Sequence, residues 1–352
     1  RKTVRMVYAP IIIPTLCRDK HFIKCVESLK KNSYAIYTDV YIALDFPAKE
    51  EHKRGYEKIS KYLEGDFSEF RNFYVVKREK NLGPDRNMKE MYDVILQKYD
   101  RFIRSDDDAE FSPNFLEYMD KCLEYFQNDE NILCVTGYSY PIKWEVSPGS
   151  TVLKENFICP MWGTGFWTKK YLKVREDIKN NELYKDFSTY LCGNYMKKGP
   201  ISKMTDAAIC DYLHGGLVLN KEESIMQSTT DVALRVYLIL KNKYTIMPVE
   251  SKVRNCGFDG TGTYCQDISK EFNQKYADTY NYSLQKIDTN NTFTILLNKR
   301  NNIDINKQKL NEFDKRKKIT LLFWRAKVFL YKSLGEKRYK KVIEVVRRKR
   351  GR

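Results

Sequence analysis

The densest group of potential metal ligands in the sequence is an acidic cluster of three consecutive residues, Asp106, Asp107 and Asp108. A short apolar run at Phe102 and Ile103 precedes it and a segment with helical spacing follows, as expected where a buried strand ends at the rim of a sheet. Adjacent carboxylates repel one another, and Mg²⁺ or Mn²⁺ relieves that repulsion while keeping positions open for phosphate oxygens. The alternative is a solvated acidic turn before a helix that starts near Ser112 or Asn114.

Other residues with chemical potential follow the three apolar runs upstream, namely Arg18 after 4–13, Asp45 after 40–44, and Gly83, Arg86 and Asn87 after 73–76. Arg18 and Arg86 could balance the charge of a phosphate. Asp45 could accept a hydrogen bond from a base or a ribose hydroxyl, and Gly83 would let the backbone approach a ligand closely. The pattern indicates the binding of a nucleoside diphosphate. Arg86 and Asn87 are also ordinary residues for the first turn of a helix, so that alternative stays open.

These residues must be positioned by alternating strands and helices. Each apolar run is followed by helical spacing, which after the first run involves Phe22, Cys25, Val26 and Leu29. The alternation predicts an α/β fold with a mostly parallel sheet flanked by helices, and ligands at the carboxyl ends of the strands. The polar residues named above would then share one rim of the sheet.

Composition limits the classes of protein to consider. With 352 residues and 42% hydrophobic content, the chain can bury a sizeable core in one large or two ordinary domains. No run approaches about 18 uninterrupted apolar residues, so a conventional spanning helix is not predicted. The sequence begins without methionine, which leaves open an anchor or leader before residue 1. Nine cysteines without a CxxC pair favour reduced thiols and a cytoplasmic location.

The net charge of +17 is concentrated at the C-terminal end. Residues 315–352 contain sixteen Lys or Arg and two acidic residues, an excess of +14, which leaves +3 for the rest of the chain. Residues 319–334 are rich in Leu, Phe, Trp and Tyr, and basic residues recur among them. This pattern predicts a basic amphipathic helix that lies on an anionic membrane surface. The alternatives are a helix that binds a partner and a solvated basic end.

Two further segments have compositions suited to ligand binding. Trp162 and Trp167 bracket Gly163, and an aromatic face beside a small residue is a natural platform for a sugar. Two core tryptophans are the alternative. Glycines at 257, 260 and 262 predict a mobile lid, with an ordinary surface loop as the alternative.

The motifs PTLCRD (14–19), ALDFP (43–47), NLGPDRN (81–87) and DDDAEFSPNFLEYM (106–119) resemble those of glycosyltransferases with the A-type fold, near the family 2 enzymes. They are also similar to N-acetylglucosaminyltransferase I. The segments 159–167 and 248–263 resemble the acceptor-side segment and the closing loop of the family, so the resemblance covers about residues 4–265. Thr15 and Arg18 belong to the first motif, which the resemblance places beside the donor.

The resemblance also implies roles for individual residues. Asp108 becomes the metal ligand for Mn²⁺ or Mg²⁺, while Asp106 and Asp107 meet ribose or metal-bound water. Asp231 matches the catalytic base, although the tryptophan that usually precedes the base is missing. Competing carboxylates are Asp206 and Asp211, and Asp231 could also be a helix N-terminal residue.

The closing loop departs from the family pattern at one position. Tyr264 stands where related enzymes often carry a histidine that reaches the metal or the diphosphate. Tyrosine is a poor ligand for Mn²⁺, so either the metal lacks a ligand from this loop or Tyr264 hydrogen-bonds a phosphate.

The sequence thus predicts a nucleotide-sugar-binding half at 1–135, an acceptor-binding half at 136–280, a linker or domain edge at 281–314 and the basic tail at 315–352. The predicted protein is an inverting, metal-dependent glycosyltransferase, peripheral on the inner face of the cell membrane. It would move a sugar, favoured to come from a UDP-sugar, to a glycan or glycolipid in cell-surface polysaccharide biosynthesis. Alternatives are a nucleotidyltransferase acting on sugar phosphates and a nucleic-acid-binding protein.

Overall fold

The computed structural model describes residues 7–139, 144, 146–155, 160–179, 233–234, 237–238, 241–257, 259, 261 and 286–299, together with 326, 329–330, 333–335, 337–339 and 341–346. The chain divides into two compact units. The first comprises Arg1–Tyr171 and Tyr244–Ile303, and the second comprises Leu172–Lys243 and Asp304–Arg352.

Strands and helices alternate through the first unit. The strands are β1 (Ile11–Thr15), β2 (Asp39–Leu44), β3 (Asn72–Lys77), β4 (Arg101–Arg104), β5 (Ala109–Phe111), β6 (Ile132–Thr136), β7 (Val152–Glu155), β8 (Thr164–Trp167), β9 (Tyr244–Pro248) and β10 (Val253–Asn255). The helices are α1 (Asp19–Lys30), α2 (Glu50–Tyr62), α3 (Pro84–Lys98), α4 (Phe115–Tyr125) and α5 (Thr168–Lys179), with a short 3₁₀ turn at Ala35–Tyr37.

Among the described residues, eight strands form one sheet in the order β3-β2-β1-β4-β8-β6-β9-β7. Six of them point the same way, whereas β8 and β7 are antiparallel to their neighbours. Successive side chains along each strand point to opposite faces of the sheet, and helices pack against the apolar side chains on both faces. Phe102 of β4 packs against Tyr92 of α3 and Tyr171 of α5, while Ile103 belongs to the core cluster that includes α1 and α4. The predicted α/β fold with a mostly parallel, helix-flanked sheet is confirmed.

The strand order reverses between β1 and β4, and the register explains why the two strands separate there. Ile12 is paired with Arg104, and its carbonyl oxygen accepts the N–H of Ser105 at 3.0 Å. The next N–H that β1 could direct toward β4 belongs to residue 14, which is a proline and has no N–H. The two strands are therefore free to diverge beyond this point. A crevice outside the carboxyl ends of strands, where the strand order reverses, is the usual ligand site of such sheets.

Two short elements depart from the expected pattern. The first strand begins at Ile11, near the end of the apolar run at 4–13, where pairing with Val40 starts. The acidic cluster leads into β5, which pairs antiparallel with β10 and forms a separate two-stranded sheet. Of the tail, the described residues between 326 and 346 are helical. No helix in the described part of the chain is long and apolar enough to cross a membrane.

Candidate active site

The carboxyl ends of β1 and β4 bring a hydroxyl, a guanidinium and two carboxylates together. Thr15 donates through Oγ1 to Oδ2 of Asp107 at 2.8 Å. Arg18 pairs through Nη2 with Oδ1 of Asp107 and through Nη1 with Oδ2 of Asp108, the latter at 2.9 Å. Only 8% of the Asp107 side chain, 12% of that of Asp108 and 22% of that of Arg18 are exposed. Because all three are largely shielded from water, their mutual attraction is weakly screened.

Helix α1 holds Arg18 in place. Arg18 is the N-cap residue, and its carbonyl oxygen accepts the N–H of Phe22 at 3.0 Å. Phe22, Cys25, Val26 and Leu29 form the buried face that fixes the helix on the sheet. The positive end of the helix dipole therefore points toward the carboxylates, as it would toward the phosphates of a ligand.

The acidic cluster is electrostatically strained. Burial raises the pKa of Asp106 to about 6, a rise that Arg104 opposes and that Asp108 and Asp107 reinforce. Burial likewise raises the pKa of Asp107, against the stabilising effect of Arg18 on its charge. Burial and mutual repulsion both disfavour the ionised carboxylates, so an additional cation would be stabilised here.

The segment after β10 closes over this ion pair. The N–H of Cys256 donates to the carbonyl oxygen of Asp108 at 2.8 Å, and the N–H of Gly257 donates to Oδ1 of Asn255 at 2.7 Å. A Cβ atom on Gly257 would lie 1.9 Å from Oδ2 of Asp108 and 3.2 Å from Nη1 of Arg18. Glycine is therefore needed at position 257 because the backbone lies directly against these two charged groups.

Whether the acidic cluster suits a divalent cation depends on which oxygens remain unused. Oδ1 of Asp108 is buried and has no hydrogen-bond partner among the described residues. In that same part of the chain, no group of three or more His, Cys, Asp or Glu side chains could hold a metal ion. Mg²⁺ usually binds one or two carboxylates together with substrate phosphates rather than an all-protein cage. The residues therefore fit a cation that Asp108 would share with a diphosphate.

Asp45 lies at the end of β2 and organises the loop before α3. Its carboxylate accepts the N–H groups of Phe46, Leu82 and Gly83 at 2.8–2.9 Å and the side-chain amide of Asn81 at 3.3 Å. Its own N–H donates to the carbonyl oxygen of Thr15 at 2.9 Å, which connects this loop to β1. A carboxylate has about four acceptor positions, so base recognition by Asp45 would require the loop to release a donor. Its predicted role stays a prediction.

The three residues predicted around the start of α3 have different surroundings. Gly83 is the N-cap residue with φ of +75°, a conformation that favours glycine. Asn87 is buried, donates to the carbonyl oxygen of Ala43 at 2.9 Å and accepts from Arg78 at 2.8 Å, so it fastens α3 to β2. Arg86 has 64% of its side chain exposed and pairs with Glu90 at 3.3 Å, which leaves it accessible to a ligand.

The two tryptophans of the predicted sugar platform differ in burial. Trp167 lies in β8, is 6% exposed and donates to the carbonyl oxygen of Leu123 at 3.0 Å, as a core residue would. Trp162 is only partly buried, and its ring packs edge-on against Tyr138 with centroids 4.7 Å apart. Gly163 has φ of +61°, and a Cβ atom there would lie 2.9 Å from the Phe115 ring. Of the two rings, Trp162 is the one with exposed surface for a ligand.

Several predicted site residues lie outside the described residues, namely Asp206, Asp211, Asp231, Gly260, Gly262 and Tyr264.

One residue beside the site was not predicted. Nε2 of His21 lies 3.0 Å from the Asp259 carboxylate and 3.2 Å from the carbonyl oxygen of Cys256. Its position three residues after Arg18, on the same face of α1, is the sequence feature that could have revealed it.

Comparison with solved structures finds TarS and a mannosyltransferase at low similarity. S. aureus TarS aligns with a TM-score of 0.32 and 15% identity, covering 49% of this chain and 30% of that chain. TarS 1-349 in complex with UDP-GlcNAc aligns with a TM-score of 0.30 and 16% identity, covering 50% and 48%. The mannosyltransferase PcManGT from Pyrobaculum calidifontis, in complex with GDP-Man and Mn²⁺, aligns with a TM-score of 0.36 and 11% identity, covering 68% and 72%.

This chain thus aligns with about half of TarS 1-349 and a smaller share of the longer TarS chain. No family model and no curated protein matches the sequence.

Proposed function

We propose that the protein is an inverting, metal-dependent glycosyltransferase that uses a nucleotide sugar, with a UDP-sugar as the expected donor. The observation that carries the proposal is the convergence of Thr15, Arg18, Asp107 and Asp108 where β1 and β4 diverge. The site combines a guanidinium, a helix N-terminus and an unused carboxylate oxygen. These are groups that bind a diphosphate and its counter-ion.

The reaction is a single displacement at the anomeric carbon. An acceptor hydroxyl loses its proton to Asp231, its oxygen forms the new glycosidic bond, and the bond to the nucleoside diphosphate breaks on the opposite face. A bound Mn²⁺ or Mg²⁺ would be held by Asp108 and would supply charge stabilisation for the leaving diphosphate. Arg18 would bind the same diphosphate, and the ring of Trp162 would support the sugar. Inversion follows because only one displacement occurs.

We propose a glycan or glycolipid at the inner face of the cell membrane as the acceptor, in cell-surface polysaccharide biosynthesis. The support is the basic tail, where an excess of +14 coincides with exposed apolar residues such as Phe329 and Val345. Both features favour an anionic lipid surface.

The central test is the release of nucleoside diphosphate from a panel of nucleotide sugars with and without divalent metal. Asp108→Asn should lower donor turnover at least about 100-fold, because it removes the charge that holds the cation. Asp66→Asn, in the exposed turn after α2, is the matched control and should leave turnover unchanged. Full turnover in EDTA would contradict the metal requirement. Release of pyrophosphate in place of a nucleoside diphosphate would instead identify a nucleotidyltransferase.

The assignment of the base has its own test. Asp231→Asn should lower kcat by about 100-fold or more while donor affinity stays nearly unchanged, since the base acts on the acceptor. Isothermal titration with UDP in parallel with steady-state kinetics separates the two effects. An equal loss of UDP affinity would exclude this role, and Asp206→Asn and Asp211→Asn would then be measured in the same way.

A further inference from the structure

We propose that Arg18 is a displaceable internal cation, which occupies the acidic cluster until a diphosphate binds and thereby couples metal binding to donor binding. The inference rests on the proposed function, because it concerns the same diphosphate site. It goes further in assigning an order to events: the guanidinium leaves the carboxylates for the phosphates, and Asp108 then becomes available to the metal.

Arg18 and a metal ion would compete for Asp108. One of its oxygens is paired with Nη1 of Arg18 at 2.9 Å, and the other is buried without a partner in the described part of the chain. A divalent cation bound to Asp108 would therefore lie close to a guanidinium that is itself largely shielded from water. Like charges at such a distance repel strongly where solvent screening is weak. Metal binding is thus opposed as long as Arg18 stays in place.

The side chain of Arg18 has a route out of this pairing. Among the described residues its ionic partners are the two aspartates, and 22% of its side chain reaches solvent. The helix start fixes only its backbone, so the side chain can turn without disturbing α1. Each phosphate of a diphosphate offers pairs of anionic oxygens, which the planar guanidinium can bind in a bidentate manner as it binds a carboxylate. The same Arg can therefore exchange one set of anionic oxygens for another.

Displacement of Arg18 would link the affinities for the metal and for the diphosphate. If diphosphate binding removes the cation that opposes the metal, it raises metal affinity. By linkage the metal then raises diphosphate affinity by the same factor. The free protein should accordingly bind Mn²⁺ weakly, and the protein saturated with UDP should bind it tightly.

The experiment measures Mn²⁺ binding to the full-length protein by electron paramagnetic resonance of free Mn²⁺, with and without saturating UDP. Arg18→Gln should bind Mn²⁺ at least about tenfold more tightly than wild type in the absence of UDP, because the competing charge is gone. Lys24→Gln is the matched control. It removes one positive charge from the same helix, but Lys24 is paired with Glu110 at 2.9 Å rather than with the acidic cluster. The control should bind Mn²⁺ as wild type does.

A second readout checks that Arg18→Gln folds and that the carboxylates are responsible. Without metal this variant should melt at a lower temperature than wild type, because two buried carboxylates have lost their counter-ion. Added Mn²⁺ should raise the melting temperature again. Arg18→Lys, which keeps a charge but not the fork of donors, should fall between the two in Mn²⁺ affinity.

Equal Mn²⁺ affinity for Arg18→Gln, Lys24→Gln and wild type in the absence of UDP would overturn the inference. So would a failure of Mn²⁺ to raise the melting temperature of Arg18→Gln. These measurements need no nucleotide, whereas the proposed function fails separately if the wild type does not bind UDP at all.

Discussion

The two carboxylate oxygens of Asp108 have different surroundings, and this difference shapes the whole site. Oδ2 is held by Arg18 and lies against the backbone at Gly257, whereas Oδ1 is buried and unused among the described residues. An unsatisfied buried carboxylate oxygen costs stability unless a ligand uses it. The free protein therefore tolerates a local cost at the position where the proposed reaction needs a ligand.

Gly257 gives a sharp residue-scale prediction. Gly257→Ala places a methyl group where Oδ2 of Asp108 now lies, so the ion pair with Arg18 must move. We expect binding of UDP with Mn²⁺ to weaken about tenfold, the equivalent of about 1.4 kcal/mol. Isothermal titration checks this. Gly65→Ala is the control, since its nearest contact is a backbone oxygen at 3.1 Å, away from the site. Unchanged binding by Gly257→Ala would show that the closing segment does not lie on Asp108.

Asp120 predicts how stability depends on pH. Its side chain is fully buried on α4, where Oδ1 accepts the N–H of Ala9 at 2.8 Å and Oδ2 has no partner among the described residues. Burial raises the pKa of Asp120 to about 8, although the Ala9 N–H and the nearby Arg101 and Arg71 oppose the rise. The folded state thus favours the protonated form, whereas an unfolded aspartate has a pKa of about 3.9.

The sign of the effect follows from that pKa difference. The contribution of Asp120 to the free energy of unfolding should be greatest below about pH 4 and should fall as the pH rises toward about 8. Asp120→Asn keeps the acceptor for Ala9 and removes the charge, so it should become increasingly more stable than wild type between pH 5 and about pH 8. Urea unfolding at several pH values tests this. The exposed Glu51→Gln should follow the wild-type curve. A constant difference between Asp120→Asn and wild type would show that Asp120 does not titrate in this range.

At the scale of elements, the sequence was sufficient for the parallel half of the sheet. The apolar runs that became β1 to β3 are long enough to show their character, whereas β4 is indicated by its place before the acidic cluster. The polar residues after these strands lie at or beyond their carboxyl ends. The short strands β5 and β10 have three residues each, too few for any period. Their pairing also joins residues more than 140 positions apart, and local patterns carry no information about such contacts.

The same limit applies to individual site residues. Arg18 and Asp108 were identified by type and position, but their pairing depends on a register that only the folded chain provides. Asn87 was predicted at the site and has the right position in sequence. Its side-chain amide, however, forms hydrogen bonds with Ala43 and Arg78 inside the fold. Sequence reasoning finds which residues reach a rim, while packing decides which of them remain available to a ligand.

One buried ion pair shows how distant segments support the site. Lys252 and Asp288 are 3% and 5% exposed and pair directly, and Asn114 at the start of α4 donates to the same carboxylate at 2.8 Å. The N–H of Ser112 also donates to the carbonyl oxygen of Lys252 at 2.8 Å. These bonds hold β10, and hence the approach of Gly257 to Asp108, in register with α4 and the segment 286–299.

For the whole molecule, charge and proposed chemistry occupy different parts of the chain. The described groups of the candidate active site lie before residue 258, whereas an excess of +14 falls after residue 314. The described tail residues include exposed apolar side chains, with Phe329 at 70% and Val345 at 53%. Interfacial binding combines apolar burial with attraction to anionic lipid, and the tail carries both contributions.

We therefore predict that membrane binding can be weakened without loss of donor chemistry. Deletion of 315–352 should release the protein from anionic vesicles, while hydrolysis of the donor persists. Since Asp304–Arg352 shares a compact unit with Leu172–Lys243, the double substitution Phe329→Ser and Val345→Ser in the full-length chain is the cleaner test. Each substitution removes an apolar side chain that would be buried in the membrane, and should therefore lower vesicle partitioning by about tenfold.

The control is Val94→Ser, which removes an equally exposed apolar side chain from α3, at 52% exposure. Co-sedimentation with vesicles at low and high salt separates the two contributions, because salt screens the basic residues and leaves the apolar contacts. At high salt, wild type should retain part of its binding and the double variant should retain almost none. Transfer to a membrane-embedded acceptor should fall with vesicle binding, since the enzyme loses its local concentration at the surface. Undiminished vesicle binding by a folded double variant would refute the role of these residues, and loss of donor hydrolysis would show that the tail supports the fold of the catalytic region.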